Sequence, residues 1–195
     1  HIEFEANINF KENLKFQQKF LQHIINYLIR DYGKEMSVFL RKGDIEELLN
    51  FTKLKKISEI TFQEAFELLK QKTGDKKYDH LTIHNFGAYE EVLLTQIIKK
   101  PAFVTHYIED EVAFYHASHP QKPGLVMNAD FLFPGYGELI GSGERVHTME
   151  ETRKKARYFK LNFRDYRAYI ESRDPKNLNI HSGWGMGIER FIQVI

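Results

Sequence analysis

The sequence predicts an α+β domain built on a mainly antiparallel sheet that is flanked by helices. Some stretches carry apolar side chains at every second position, which is typical of half-buried strands. Others carry them every three or four positions, which is typical of amphipathic helices. Between residues 128 and 144, Pro134 and Gly135 separate two strand-like runs and predict a hairpin of antiparallel strands.

Length and composition fit one globular domain. The chain has 195 residues, of which 42% are hydrophobic and 14% aromatic, and this argues against disorder. Its 28 basic and 27 acidic residues leave a net charge of +1, so no general nucleic-acid surface is indicated. The chain contains no cysteine, which excludes disulfides and cysteine zinc sites. Because no membrane-spanning run or signal peptide is visible, we expect a cytoplasmic protein without a membrane partner.

The first ten residues, HIEFEANINF, predict a strand with one apolar and one polar face. The apolar residues of this strand are Ile2, Phe4, Ile8 and Phe10. The polar residues are Glu3, Glu5, Asn7 and Asn9. Exposure to solvent is the usual explanation for such a polar face.

Helical periodicity predicts five helices, at residues 13–32, 36–54, 61–74, 87–100 and 149–159. Gly33 is the natural stop of the first helix. Thr61 and Glu64 fit a capping box, in which each side chain bonds the other residue's backbone N–H group. The helix dipole explains Glu90 and Glu91 in the first turn of the fourth helix. The fifth helix alternates acidic and basic residues and is predicted to be exposed.

Two short runs, at 102–107 and 112–117, predict strands that lead into the strand of Asp130. The polar stretch 73–87 is predicted to be a loop, so its histidines lack the helical spacing of a zinc site. Further histidines are too scattered to predict a catalytic trio. These are His106, His116, His119 and His147.

One stretch, NADFLFPGYGELIGSGERVH at residues 128–147, combines acids, glycines and a cation. Asp130 starts an apolar run, Glu138 follows the turn, and a glycine-rich segment ends at Arg145. Two carboxylates beside bare backbone and a fixed cation suit a metal-bound phosphate and a small polar ligand. A solvated turn is the alternative explanation for these residues.

The last stretch, IHSGWGMGIERFIQVI at residues 180–195, predicts a strand that leads into a helix. Gly183, Gly185 and Gly187 alternate with other residues and would leave one strand face free of side chains. A flat ligand could lie against such a face, and Arg190 in the first helical turn could reach a phosphate or a base. Close packing of the helix on the sheet would explain the glycines equally well.

Together these two stretches resemble the catalytic domain of class II aminoacyl-tRNA synthetases. HSGWGMGIERF is similar to the family's motif 3, and GYGELIGSGER resembles the preceding strand and loop in the aspartate, asparagine and lysine subgroup. Within this subgroup the chain most resembles asparaginyl-tRNA synthetases and an archaeal asparagine synthetase related to them. Residues 99–116 are similar to the strand pair between motifs 2 and 3, and residues 163–173 to the helix before motif 3.

The resemblance implies that residues 1–195 form such a catalytic domain without its N-terminal part. Motif 1 and most of motif 2, including its arginine, have no counterpart in this sequence. By the same resemblance the parent protein is expected to be a homodimer and to bind tRNA.

The resemblance also assigns roles to particular residues. The ATP-binding residues would be Glu138, Gly187, Ile188, Glu189 and Arg190. The amino-acid-binding residues would be Glu5, Arg145, Gly183 and Gly185, with Glu3 and Asn7 as alternatives to Glu5. Magnesium would be bound by Asp130 and Glu138. No protein nucleophile is expected, because a substrate carboxylate attacks ATP directly in this chemistry.

The implied function is ATP-dependent activation of asparagine and its transfer to tRNA. Two alternatives stay open. One is a synthetase-like asparagine synthetase that activates aspartate and passes it to ammonia, since the Arg145 guanidinium suits an amide carbonyl or a carboxylate. The other is a catalytically silent paralogue that acts as a binding module.

Overall fold

The computed structural model describes residues 1–173 and 179–195. Within these ranges six strands form one sheet. They are β1 (Ile2–Ala6), β2 (Ser58–Thr61), β3 (Ala102–Thr105), β4 (Asn128–Phe133), β5 (Gly137–Glu144) and β6 (Ser182–Met186). Their order across the sheet is β1-β6-β5-β4-β3-β2, and β2 with β3 is the one parallel pair among them. The predicted α+β class with a mainly antiparallel sheet is confirmed.

Helices connect these strands. They are α1 (Phe10–Phe39), α2 (Lys42–Thr52), α3 (Phe62–Thr73), α4 (Ala88–Ile98), α5 (Met149–Tyr158), α6 (Arg167–Glu171) and α7 (Ile188–Val194). Within residues 1–173 and 179–195, no helix combines the length and the apolar character that crossing a membrane requires.

Apolar side chains pack on both faces of the sheet. Phe103 and Phe131 point to one face, whereas their neighbours Val104 and Leu132 point to the other. Helices α1, α2 and α7 cover the first face. Helices α3 and α4 cover the second face over β2, β3 and β4. Over β5, β6 and β1 the second face carries glycines and charged residues instead, and a cavity opens there.

The first strand and the first helix depart from the predicted boundaries. The strand ends at Ala6, because Asn9 and Glu12 form a capping box that starts α1 at Phe10. Gly33 does not end this helix, which continues to Phe39 across a kink at Tyr32 (φ −127°, ψ 15°). The predicted helix 36–54 is therefore divided between the end of α1 and α2.

Three further elements differ from the prediction. Residues 112–117 contain turns and one isolated bridge, at His116, rather than a strand, because their backbone bonds go to separate partners, such as Ala117 N–H to the Glu144 carbonyl. Strand β2 was not predicted, since its four residues, SEIT, obtain their pairing from the distant β3. The helix expected at residues 163–173 is limited to α6.

The hairpin and the capped helix agree with the predictions from the sequence. Strands β4 and β5 pair around the turn at Pro134 and Gly135. Helix α3 begins at the predicted capping box and ends at Gly74, which adopts the left-handed conformation (φ 69°). The glycine strand β6 leads directly into α7, also as predicted.

We expect Thr61→Ala to lower the free energy of unfolding by about 1 kcal/mol, because the N–H group of Glu64 loses its cap. Thr61→Ser keeps the hydroxyl and should stay within about 0.5 kcal/mol of the parent. Urea unfolding of the three proteins measures both effects. Equal stability of the alanine and serine variants would contradict the role of the cap.

Candidate functional site

The cavity on the open part of the sheet has a volume of about 790 Å³. Its floor consists of glycines on two neighbouring strands. Gly141 pairs with Gly185, and Gly143 pairs with Gly183. Paired residues point to the same face of a sheet, so all four glycines lie on the side of the cavity. The side chains of Glu5 and His116 lie over Gly183 and Gly143, whereas Gly141 and Gly185 line the cavity and offer backbone to a ligand.

Polar side chains continue each glycine pair on both sides. The two rows across the sheet are Glu5–Gly183–Gly143–Asn128 and Glu3–Gly185–Gly141–Asp130. A Cβ atom on Gly183 would lie 1.7 Å from Glu5 Oε2 and 2.7 Å from the Phe4 carbonyl oxygen. Glycine is therefore required here to admit the Glu5 carboxylate.

At one end of the cavity, Arg145 and Glu5 form a two-point ion pair. Arg145 Nε donates to Glu5 Oε1 at 3.0 Å, and Arg145 Nη2 donates to Glu5 Oε2 at 3.1 Å. The arginine side chain is 17% exposed, whereas Glu5 is 49% exposed. The pair uses two of the five N–H donors of the guanidinium, so the other donors are available to a ligand.

Two aromatic residues that the sequence did not single out as ligand-binding complete this end. The Arg145 guanidinium lies over the ring of Tyr115 at 5.0 Å. His116, which in the sequence is only one of several scattered histidines, lines the cavity, with Nδ1 buried over Gly143. Burial, followed by the positive charges of Arg145 and Lys155, lowers the pKa of His116 to about 3. The imidazole is therefore uncharged where it lines the cavity.

At the other end, Arg190 and Glu138 lie together. Arg190 Nη1 donates to the backbone carbonyl of Glu138 and, at 3.1 Å, to its Oε2 atom. The arginine side chain remains 52% exposed. A cation that is anchored but still accessible can bind a phosphate group.

Asp130 lies beside Glu138 on the neighbouring strand. Both carboxylates approach one point, because a Cβ atom on Gly141 would lie 2.8 Å from Glu138 Oε1 and 3.7 Å from Asp130 Oδ1. Loss of hydration, followed by repulsion from Glu138, raises the pKa of Asp130 to about 8. The neighbouring Tyr107 hydroxyl opposes this shift by favouring the charged carboxylate.

These two carboxylates fit a magnesium ion. Magnesium prefers oxygen ligands, typically one or two carboxylates together with phosphate oxygens. The repulsion that raises the pKa of Asp130 would be relieved by a cation at the point where the carboxylates converge. Within residues 1–173 and 179–195 no group of three or more histidine or acidic side chains is arranged for metal binding. Asp130 and Glu138 would therefore share the ion with ligand oxygens.

The structure brings most of the predicted site residues together. Those that line the cavity are Glu5, Asp130, Glu138, Arg145, Gly185, Gly187 and Arg190. Gly183 lies beneath the Glu5 carboxylate. Ile188 packs against the apolar cluster, and neither it nor Glu189 lines the cavity. Of the two alternatives to Glu5, Glu3 lines the cavity and Asn7 does not.

Glu91 is a further residue whose connection to the site was not predicted. Its Oε2 atom accepts a hydrogen bond from the Glu138 N–H group at 2.8 Å. From the sequence, the helix dipole was sufficient to explain Glu91 in the first turn of α4. Because its partner is 47 positions away, local patterns carry no signal for the contact.

Comparisons with known proteins agree on one family. A family model described as tRNA synthetases class II (D, K and N) matches residues 1–195. An asparagine–tRNA ligase of Clostridium botulinum (strain Hall) is 35% identical over 198 residues, covering 98% of this chain and 41% of the relative. An asparagine–tRNA ligase of Symbiobacterium thermophilum is 31% identical over 190 residues, covering 96% of this chain and 42% of the relative.

A solved structure shows the same fold. It is the crystal structure of asparaginyl-tRNA synthetase from Pyrococcus horikoshii complexed with asparaginyl-adenylate. The TM-score is 0.84 at 28% identity, and the match covers 97% of this chain and 42% of that one. The chain spans about two fifths of the length of the curated relatives named above.

We expect Asp130→Asn to stabilise the protein in the absence of magnesium and ATP, and to do so more at pH 8 than at pH 5. An unfolded aspartate ionises near pH 4, whereas folded Asp130 keeps its proton up to about pH 8. The unfolded state thus binds fewer protons across this range, and the contribution of Asp130 to stability falls as pH rises. Urea unfolding at both pH values measures the difference. An equal gain at pH 5 and pH 8 would contradict the raised pKa.

Proposed function

Because the chain belongs to the class II tRNA synthetases of the aspartate, lysine and asparagine family, we propose that the protein containing it activates asparagine with ATP and transfers it to tRNA. The curated relatives named as asparagine–tRNA ligases and the structural neighbour with bound asparaginyl-adenylate support asparagine as the amino acid. We also propose that this protein is a cytoplasmic homodimer whose catalytic domain includes segments outside this chain.

The observation that carries the proposal is the position of Glu5 opposite Arg145. A lone guanidinium would bind an amide oxygen or a carboxylate, whereas a guanidinium paired with Glu5 has its charge balanced. An aspartate side chain would place a second carboxylate beside Glu5. An asparagine side chain offers an oxygen to the remaining N–H donors of Arg145 and an amide NH₂ group to the carboxylate. The pair thus favours asparagine.

The two ends of the cavity suit the two parts of an aminoacyl-adenylate. The Glu5–Arg145 end would hold the amino-acid side chain, and the Glu138–Arg190 end would hold ATP. Gly141 and Gly185, which line the cavity, would let the reacting groups lie close to the sheet. Orientation of this kind supplies much of the acceleration in reactions that use no protein nucleophile.

In the proposed reaction a carboxylate oxygen of asparagine forms a bond to the α-phosphorus of ATP. The bond from this phosphorus to the bridging oxygen breaks, and pyrophosphate leaves. Arg190 would offer its free N–H groups to phosphate oxygens while Glu138 holds the guanidinium in place. A magnesium ion bound by Asp130 and Glu138 would neutralise phosphate charge. Transfer to the terminal hydroxyl of tRNA then releases AMP.

Exchange of labelled pyrophosphate into ATP tests the choice of amino acid, because it reports adenylate formation before any acceptor takes part. We expect the full-length protein to catalyse exchange with asparagine and not with aspartate. Exchange with aspartate alone would point to an aspartate-activating enzyme, such as the synthetase-like asparagine synthetase. Absence of exchange with either amino acid would favour a silent paralogue.

We expect Arg190→Ala to weaken ATP binding at least about tenfold, because a charge-assisted phosphate contact is lost. Glu138→Gln should raise the magnesium concentration needed for half-maximal exchange, since a neutral amide binds the ion less well. Isothermal titration with ATP and a magnesium titration of exchange measure these effects, and the melting temperature controls for the fold. Unchanged ATP affinity in the arginine variant would exclude Arg190 from the site.

A further inference from the structure

Helix α4 holds the turn between β4 and β5 through two side chains. The Thr95 hydroxyl accepts a hydrogen bond from Gly135 N–H at 3.1 Å, and Glu91 Oε2 accepts one from Glu138 N–H at 2.8 Å. Residues four apart lie on the same face of a helix, so both contacts come from the face of α4 that packs on the hairpin. The start of β5 is therefore fixed by a helix as well as by its neighbouring strand.

The fit between Glu91 and the hairpin leaves no spare room. Gly137 has a left-handed backbone (φ 77°), and a Cβ atom there would lie 2.8 Å from Glu91 Oε2 and 3.2 Å from Glu91 Cβ. Glycine is thus needed both for its conformation and for the close approach of the glutamate. The carboxylate lies directly against the backbone that precedes Glu138.

The hairpin needs this support because its pairing is interrupted there. Phe131 pairs with Ile140, but Leu132 pairs with Glu138, so Leu139 is an extra residue in β5. Such a bulge disrupts the ladder of hydrogen bonds and redirects nearby side chains. Next to it, the backbone of Glu138 is held on both sides, by Glu91 at its N–H group and by Arg190 at its carbonyl.

We propose that Glu91 is a positioning residue for the ATP-binding end of the site, which acts by accepting the Glu138 N–H bond and so fixing the direction of the Glu138 carboxylate. This inference rests on the proposed function, in which Glu138 contacts magnesium and ATP. Glu91 does not line the cavity, and its Oε2 atom is already engaged by the backbone. Its contribution depends on an acceptor oxygen rather than on charge, because both the protonated and the ionised carboxyl provide one.

Three variants of the full-length protein distinguish the effect of the acceptor oxygen of Glu91 from the effect of its charge and from a general effect on the packing of the turn. Glu91→Gln keeps an acceptor oxygen and removes the charge. Glu91→Met has a similar length but lacks a good acceptor. Thr95→Val removes the other bond to the same turn, at Gly135, while keeping the shape of the side chain. Pyrophosphate exchange gives the KM for ATP and for asparagine, a magnesium titration gives the concentration for half-maximal exchange, and unfolding gives the melting temperature.

We expect Glu91→Met to raise the KM for ATP and the half-maximal magnesium concentration about tenfold, since the Glu138 N–H group loses its partner and the carboxylate loses its orientation. The KM for asparagine should stay within about twofold, because that substrate binds at the Arg145 end. Glu91→Gln should behave like the parent protein. Thr95→Val should lower the melting temperature without changing the KM for ATP.

Each other outcome overturns the proposal. If Glu91→Gln is as impaired as Glu91→Met, the charge matters rather than the acceptor. If Glu91→Met lowers only the melting temperature, or if Thr95→Val raises the KM for ATP equally, Glu91 is only part of the general packing of the turn. A wrong proposed function would give a different set of results. The parent protein would then show no asparagine-dependent exchange, and the Arg190→Ala variant would bind ATP with unchanged affinity.

Discussion

The glycine pairs at the centre of the sheet are the constraint on which the site depends, because side chains of the site lie where a Cβ atom would be. A side chain at Gly143 would bring Cβ within 2.2 Å of the His116 ring, just as one at Gly183 would collide with Glu5. The same strands carry large apolar residues on their other face, such as Trp184 and Met186, which pack against the helices there. One face of β6 thus supplies packing energy, and the other supplies only backbone. This division lets Glu5 and His116 approach the sheet closely, and leaves Gly141 and Gly185 open to the cavity, without weakening the core.

Each cation of the site is held by a carboxylate from a different part of the chain. Arg145 is paired with Glu5 from the first strand, and Arg190 is paired with Glu138 from the hairpin. Exposed ion pairs contribute little to stability, so these pairs matter mainly for direction and charge. A guanidinium that is already oriented loses less entropy when a ligand binds, which favours tight and specific recognition. The opposite effect operates between Asp130 and Glu138, whose mutual repulsion would be relieved by a cation between them.

The sequence predicted the features that local chemistry decides. The hairpin turn, the capping box at Thr61 and the alternating glycines before Arg190 all depend on residues a few positions apart, and the structure contains each of them. Features that depend on distant partners were missed. Strand β2 exists through its pairing with β3, and Gly33 fails to end α1 because the helix continues through a kink and packs on the sheet. Glu5 and Arg145 are 140 positions apart, so local patterns could not predict that they share one site. Only the resemblance to a known family predicted this.

At both ends of the site, a charged residue of a helix outside the sheet bonds to the backbone. At the Arg145 end, Lys155 of α5 is only 7% exposed, pairs with Glu109 at 2.7 Å and donates to the backbone carbonyl of His116. Helix α5 was predicted to be an exposed charged helix, and most of its charges are exposed, but this lysine is buried and bonds to Glu109 and to the His116 backbone. A buried ion pair that loses one partner leaves an uncompensated charge, so such a contact ties the loop to the helix strongly. Glu91 of α4 fixes the backbone at the opposite end in a comparable way. The strands therefore place the functional side chains in register, while Lys155 and Glu91 tie the surrounding helices to the backbone at the two ends of the site.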